Sequence, residues 1–306
     1  MQTIIECVPN FSEGYNLSVL SALQNAAEKI ADVALLDIHA DTDHNRSVFT
    51  IAGSPQGIAE AAFVMAAKAV ECIDLTQHHG EHPRMGAVDV IPFIPIKNAT
   101  MADCVMLARE VGKRIAHELS VPVFLYEAAA TAPNRKNLAD IRRGGFETMT
   151  QKLRQPEWAP DFGGMVPHST AGIVAVGARK PLIAFNINLD TPDIEVAKAV
   201  AKAVRGSSGG LAYCKALGMF LHKRNIAQVS MNLVDYEATP IYRVFEMVRT
   251  EAARYGVRVI GSELVGLAPA KALIDCAEYF LQLENFNAGQ HILENKIDAT
   301  TFFQVK

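Results

Sequence analysis

Apolar and polar positions along the first half of the chain switch between two spacings. Short alternating runs read as strands, and longer runs with apolar residues three and four apart read as helices. The pattern predicts a strand from Thr3 to Val8, a helix from about Leu17 to Ile30, and strands at Val33 to His39 and Ser47 to Ala52. Ser54-Pro55 supplies a capping hydroxyl followed by proline at the first helical position, so a helix is predicted from there to about Cys72. A strand follows at Val88 to Ile96. The order β-α-β-β-α-β is that of the ferredoxin-like split unit. A helix near Met101 to Leu119 and a strand at Pro122 to Tyr126 extend it.

The second half repeats the pattern. Strands are predicted at Leu182 to Leu189, Leu211 to Leu221, Ile226 to Asp235 and Val257 to Ile260. Helices are predicted to start at Thr191-Pro192 and Thr239-Pro240 and to run to about Val204 and Tyr255, with a closing helix at Ala268 to Leu283. The stretch Ala128 to Phe162 reads as a connector that carries Arg135, Lys136, Arg142, Arg143 and the lone Trp158. The expected fold class is therefore α+β, two similar subdomains with a ligand groove between them.

Composition narrows the function. The chain has 306 residues, 50% hydrophobic and 20% charged, with a net charge of -4, which gives no basic excess for nucleic acid. There is no signal-peptide pattern at Met1 to Pro9 and no apolar run of about eighteen residues, so no membrane span is expected. Five scattered cysteines form neither a disulfide framework nor a zinc spacing, and a reducing cytoplasm is the expected compartment.

The densest chemistry is Gly80-Glu81-His82-Pro83-Arg84-Met85-Gly86. Pro83 disfavours helix at His82, so an acid, an imidazole and a guanidinium are presented on a stiff loop that leads into a strand. A histidine titrating near neutrality can accept and return a proton, and Glu81 or another carboxylate can orient it. The bland alternative is a loop histidine bonded to backbone. A metal reading uses His78, His79, Glu81 and His82, but Gly80 and Pro83 work against the helix that would bring His78 and His82 together.

Two further segments carry alternatives. Asp41-Thr-Asp-His-Asn-Arg-Ser47 joins two strands and is either a polar turn or a site in which Arg46 grips a carboxylate. Trp158 to Gly172, rich in glycine, is either a linker or a surface that lets backbone approach a flat ligand.

The residues that carry a resemblance are now in view. They are Glu6-Cys-Val-Pro-Asn-Phe-Ser-Glu-Gly14, Asn45-Arg46, Gly80 to Gly86 with Asp89-Val and Pro92-Phe-Ile-Pro95, Trp158 to Gly163, Ala178-Arg-Lys180, Ile183 to Leu189, Ala227-Gln-Val-Ser230, Asn232-Leu233 and Leu264 to Leu267. In this order the chain resembles, over nearly its whole length, the formiminotransferase domain of glutamate formimidoyltransferases. That domain is also the N-terminal part of bifunctional formiminotransferase-cyclodeaminases.

The resemblance implies two ferredoxin-like subdomains, residues 1–178 and 179–306, with a ligand tunnel between them, and a homodimer. It implies transfer of the formimino group from N-formimino-L-glutamate to tetrahydrofolate as co-substrate, without a metal, in histidine degradation. His82 would be the catalytic acid/base. Asn45, Arg46, Arg84, Arg179 and Lys180 are the expected substrate-binding residues. Folate is expected on Gly163, Gly164, Met165, Val166, Pro167, His168, Ser169, Thr170, Ala171 and Gly172, where His168 departs from the vertebrate pattern. The chain ends soon after the second subdomain, so a separate cyclodeaminase is expected downstream. Formyl transfer from N-formylglutamate, and a non-catalytic folate-binding protein, are the alternatives. Glu81, Asp41 and Asp43 are the candidate carboxylates for orienting His82.

Overall fold

Proline and glycine shape the first sheet more than propensity does. The computed structural model describes residues 2–42, 44–80 and 83–298. Glu81, His82 and Asp43, named above as site candidates, lie outside the described residues. Strands β1 (Ile4–Cys7) and β2 (Asn10–Phe11) are two pieces of one line, interrupted at Pro9, which has no N–H to give a ladder. Helix α1 (Leu17–Glu28) is capped by the Asn16 side chain. Strands β3 (Val33–Asp41) and β4 (Arg46–Gly53) form a hairpin. Helix α2 (Pro55–Cys72) starts as the sequence predicts, with Ser54 Oγ accepting the Gly57 N–H at 3.2 Å. Strand β5 (Val88–Lys97), helix α3 (Met101–Glu118), with a Thr100/Asp103 capping box, and strand β6 (Val123–Glu127) follow.

The connector contains helices α4 (Leu138–Arg142) and α5 (Gly145–Lys152) and returns through strand β7 (Val174–Ala178). No strand was expected at β7. It inserts between β5 and β6, parallel to both, and all five of its residues are buried. A short apolar run buried on both faces has no alternation to mark it. The β3–β4 hairpin, the β1/β2 line, β5, β7 and β6 thus make one sheet of seven strands. Ile5, Phe11, Ile51 and Phe93 are fully buried in the core beneath α1, α2 and α3, as is Met65 of α2 itself. On the opposite face, Val90, Phe124, Tyr126 and Ala175 pack against Ile141 of α4 and Met149 of α5.

Tyr126 is 2% exposed and pairs in register with Gly177. A Cβ at position 177 would stand 2.5 Å from the Tyr126 ring and 2.5 Å from its backbone oxygen, so glycine is what lets the ring lie across β7. Gly177→Ala is expected to lower stability by about 1–3 kcal/mol, read as an earlier denaturant midpoint with an unchanged slope.

The chain divides at Lys180–Pro181, and the second unit has its own core. It contains β8 (Ile183–Leu189), α6 (Ile194–Val204), β9 (Cys214–Leu221), β10 (Ile226–Leu233), α7 (Ile241–Ala253), β11 (Val259–Val265) and α8 (Ala270–Leu281), then two short helices, α9 (Ala288–His291) and α10 (Leu293–Asp298). Its four strands are antiparallel in the order β11-β8-β10-β9.

Several boundaries differ from expectation. Helix α6 is capped by Asp193, whose Oδ1 accepts the Glu195 N–H, while Thr191 and Pro192 form the preceding turn. Helix α7 has Pro240 itself at its N-cap, which has no side-chain acceptor, so Thr239 stands one residue before the cap. Strand β9 begins only at Cys214, since Leu211 bridges back to Arg205. Strand β11 runs later than expected and is mostly exposed, so it has no buried period to read. The architecture is α+β, with two sheets. No described helix is long and apolar enough to cross a membrane.

Candidate functional site

A β-bulge organises the most polar part of the first unit. Phe11 pairs with Val88 and Asn10 with Val90, which leaves Asp89 as the extra residue on β5. A bulge re-aims one side chain, and here it turns Asp89 toward the face that carries α4. Asp89 is 3% exposed. Its Oδ1 accepts the Met85 N–H at 2.8 Å, and its Oδ2 pairs with Arg142 Nη2 at 2.6 Å. Arg142 is the last residue of α4. Lys152 Nζ donates to the carbonyls of Asp140 and Ile141 and lies 3.9 Å over the Trp158 ring, which clamps that helix end. Burial brings the Lys152 pKa down to about 8.

Arg46 opens β4 beside this pair and hydrogen-bonds Asn10 Oδ1. Its pKa falls to about 10, first by burial and then by repulsion from Arg142, with Asp89 and Asp41 acting the other way. It therefore stays charged at neutral pH. Arg84 binds Glu147 at 2.7 Å, which holds the Glu147 carboxyl below its usual range, and reaches His78 O at 3.4 Å. His78 is 8% exposed, and its Nε2 donates to Asn45 O at 2.9 Å. The Nε atoms of Arg46, Arg84 and Arg142 and Nδ1 of His78 are buried without a hydrogen-bond partner among the described residues. Arg46, Arg84, His78 and Asp89 line one narrow crevice together with Ser12, whose Oγ donates to Gly86 O at 2.8 Å. Two guanidiniums and unmet buried donors make this crevice electrostatically suited to an anion.

Asn45 has a positive φ of 45° at the hairpin tip. Its Oδ1 accepts the Gly14 N–H and its Nδ2 donates to His79 O, both at 2.9 Å, so the side chain clasps three segments. Gly80 packs against this clasp, since a Cβ there would lie 2.5 Å from His44 O. Arg84 O accepts the Phe146 N–H at 2.8 Å. The residues on either side of Glu81-His82 are therefore fixed to the crevice. Asp41 accepts the His44 N–H and faces its Nδ1, both at 2.9 Å.

The expected residues fall into three places. Asn45, Arg46 and Arg84 come together in the crevice. Arg179 lies elsewhere on the sheet, beside Tyr126 and Glu6, and donates to Lys180 O, while the Lys180 side chain is exposed. The segment 163–172 joins the crevice only at its end, where Gly172 bridges Gly86. There His168 Nδ1 accepts the Ala171 N–H at 3.1 Å, and His168 and Gly172 exchange backbone bonds at 2.9 Å, which makes His168 the clasp of a tight turn. Met165 and Val166 are exposed. Sequence reading did not find Asp89, Arg142, Asn10 or Ser12 as site residues. The available signal was Asp89 itself, a carboxylate inside an otherwise apolar strand, which demands a buried partner. Among the described residues no group of three or more His, Cys, Asp or Glu side chains could hold a metal ion.

Two family descriptions match the chain in tandem. The N-terminal subdomain of the formiminotransferase domain matches residues 4–179, and the formiminotransferase domain matches residues 184–298. A glutamate formimidoyltransferase of Streptococcus pyogenes serotype M1 is 56% identical over 97% of this chain and 99% of its own length. One from Thermoplasma acidophilum is 47% identical over 97% and 98%. The formimidoyltransferase-cyclodeaminase of Sus scrofa is 44% identical over 93% of this chain, which spans 54% of that protein. With both subdomain descriptions matched in order and similarity running end to end, this chain belongs to the formiminotransferase family.

Proposed function

We propose that this chain is a transferase that moves the formimino group from N-formimino-L-glutamate to tetrahydrofolate, giving L-glutamate and 5-formiminotetrahydrofolate. The observation that carries the reading is full-length similarity to two glutamate formimidoyltransferases at 56% and 47% identity. The crevice supports it, because the donor is a dicarboxylate and Arg46 and Arg84 offer buried donors to an anion. The reaction belongs to histidine degradation, and a separate cyclodeaminase acts on its product.

In this mechanism nitrogen-5 of the reduced pterin attacks the amidine carbon. A tetrahedral intermediate forms, the pterin nitrogen loses a proton and the departing glutamate nitrogen gains one. His82 carries both protons in turn, starting neutral. Arg46 and Arg84 hold the donor carboxylates, with Arg179 and Lys180 as further candidates. Folate contacts lie along Gly163 to Gly172. Holding both substrates in one geometry supplies part of the rate through effective concentration. The split β-α-β order of each half and the β11-β8-β10-β9 sheet support ferredoxin-like subdomains, taken as residues 1–178 and 179–306. The working form is a cytoplasmic homodimer.

A transfer assay with formiminoglutamate and tetrahydrofolate tests the reading, with N-formylglutamate run beside it as donor. Folate binding without transfer from either donor would make the chain a binding protein instead. Arg46→Met should raise KM for the donor about ten- to hundred-fold, the worth of a charge-assisted hydrogen bond, and leave KM for folate within about two-fold. Equal KM values for both proteins would remove Arg46 from donor binding.

A further inference from the structure

Glu6 takes no part in the crevice network. Its neighbours Ile5 and Cys7 are fully buried under the helices, so alternation along β1 points Glu6 to the opposite sheet face. Asn10, which holds Arg46, lies on the same face four residues on, about 13 Å away at strand spacing. Tyr126 shares that face, and Arg179 stands near both side chains. Burial raises the Glu6 pKa, and the Arg179 charge offsets this only in part.

What sets Glu6 apart is its lack of partners. The other buried carboxylates of this unit are fully engaged. Asp89 has the Met85 N–H and Arg142, and Asp161 has the Leu125 N–H and Arg135. The Glu6 side chain has no hydrogen bond or ion pair among the described residues. A partly buried carboxylate left without donors weakens the fold, and such a group beside a cation is a ligand-recognition candidate.

We infer that Glu6 recognises the pyrimidinone edge of the reduced pterin. That edge presents a ring N–H and an amino group across one carbon, two parallel donors that fit the two oxygens of one carboxylate. The assignment rests on the formimino-transfer reading, in which the arginine crevice takes the donor. The separation along β1 and β2 leaves Glu6 for the other substrate.

The test uses the full chain, Glu6→Gln, and two probes. 5-Formyltetrahydrofolate carries the pterin edge, and p-aminobenzoylglutamate shares its tail but lacks the edge. By titration calorimetry the variant should bind the first about ten- to hundred-fold more weakly and the second as the wild type does. The unliganded variant should melt at the same temperature or higher, since an unpaired carboxylate has been removed. Equal weakening of both probes, unchanged binding of the first, or a rise in donor KM alone would overturn the assignment. If Glu6→Gln does not fold, Glu6→Asp, which keeps the charge and withdraws its reach, must show the same split between probes. Wild-type transfer activity is measured separately, so failure of the activity and failure of the Glu6 assignment are told apart.

Discussion

Asp89→Ala is expected to lower the stability of the first unit by about 3–5 kcal/mol, the usual result of removing one partner from a buried ion pair, and to abolish transfer. The Asp89 side chain is 4% exposed and that of Arg142 15%. Truncation leaves the Arg142 guanidinium with no carboxylate and the Met85 N–H with no acceptor. It also removes the larger of the two carboxylate influences, Asp89 ahead of Asp41, that offset the repulsion between Arg142 and Arg46. Two guanidiniums would then face each other, and the donor crevice would open or collapse. Asp89→Asn keeps the acceptor for Met85 and should lose less. The pair Asp89→Leu with Arg142→Met removes both charges and should recover most of the stability, because well-packed apolar side chains replace a buried pair at little net cost. It should not recover activity if the pair sets the charge of the crevice. Urea denaturation of the single and double variants closes the cycle. An Asp89→Ala protein as stable as the wild type would show that the pair is not the keystone of this corner.

Much of this fold was legible because local and global signals agree. Ser54-Pro55 announces α2, and α2 begins there. The alternation of Thr3 to Val8 announces β1, and the fully buried Ile5 and Cys7 follow from it. What escaped reading has a common physical cause, the absence of a local period. Strand β7 is apolar throughout because both of its faces are buried. Strand β11 is exposed through most of its length, so no buried stripe marks it. Arg142 stood out only as one of several basic connector residues, since nothing in the chain around it shows that Lys152 and Trp158 clamp its helix end.

The site divides in the same way. Asn45, Arg46 and Arg84 come from short polar segments whose density has no structural excuse, and they meet in the crevice. What the sequence does not show is the packing task each residue also has. The Asn45 side chain ties Gly14 to His79. The His168 ring nitrogen closes a turn. The Asp89 bulge was invisible because an insertion of one residue against a partner strand depends on register, which no single strand records.

His82→Ala is expected to reduce kcat about 10²- to 10⁴-fold, the range for loss of a positioned acid-base group. Donor KM and folate affinity should change little. In the proposed mechanism charge recognition falls to Arg46 and Arg84, which are held by Asn10, Glu147 and His78 O. The segment is fixed at Gly80 and at Arg84, so removing an imidazole between them leaves both anchors in place. Among the described histidines of the crevice, His78 Nε2 is engaged with Asn45 O and His44 Nδ1 faces Asp41. The wild-type rate should rise with pH as an imidazole base loses its proton, and that limb should vanish in the variant. Added imidazole should restore part of the rate without changing donor KM. Arg84→Met provides the contrast, since it should raise donor KM and keep the pH limb. Near-normal turnover in His82→Ala, or a surviving pH limb, would move the proton chemistry to another residue.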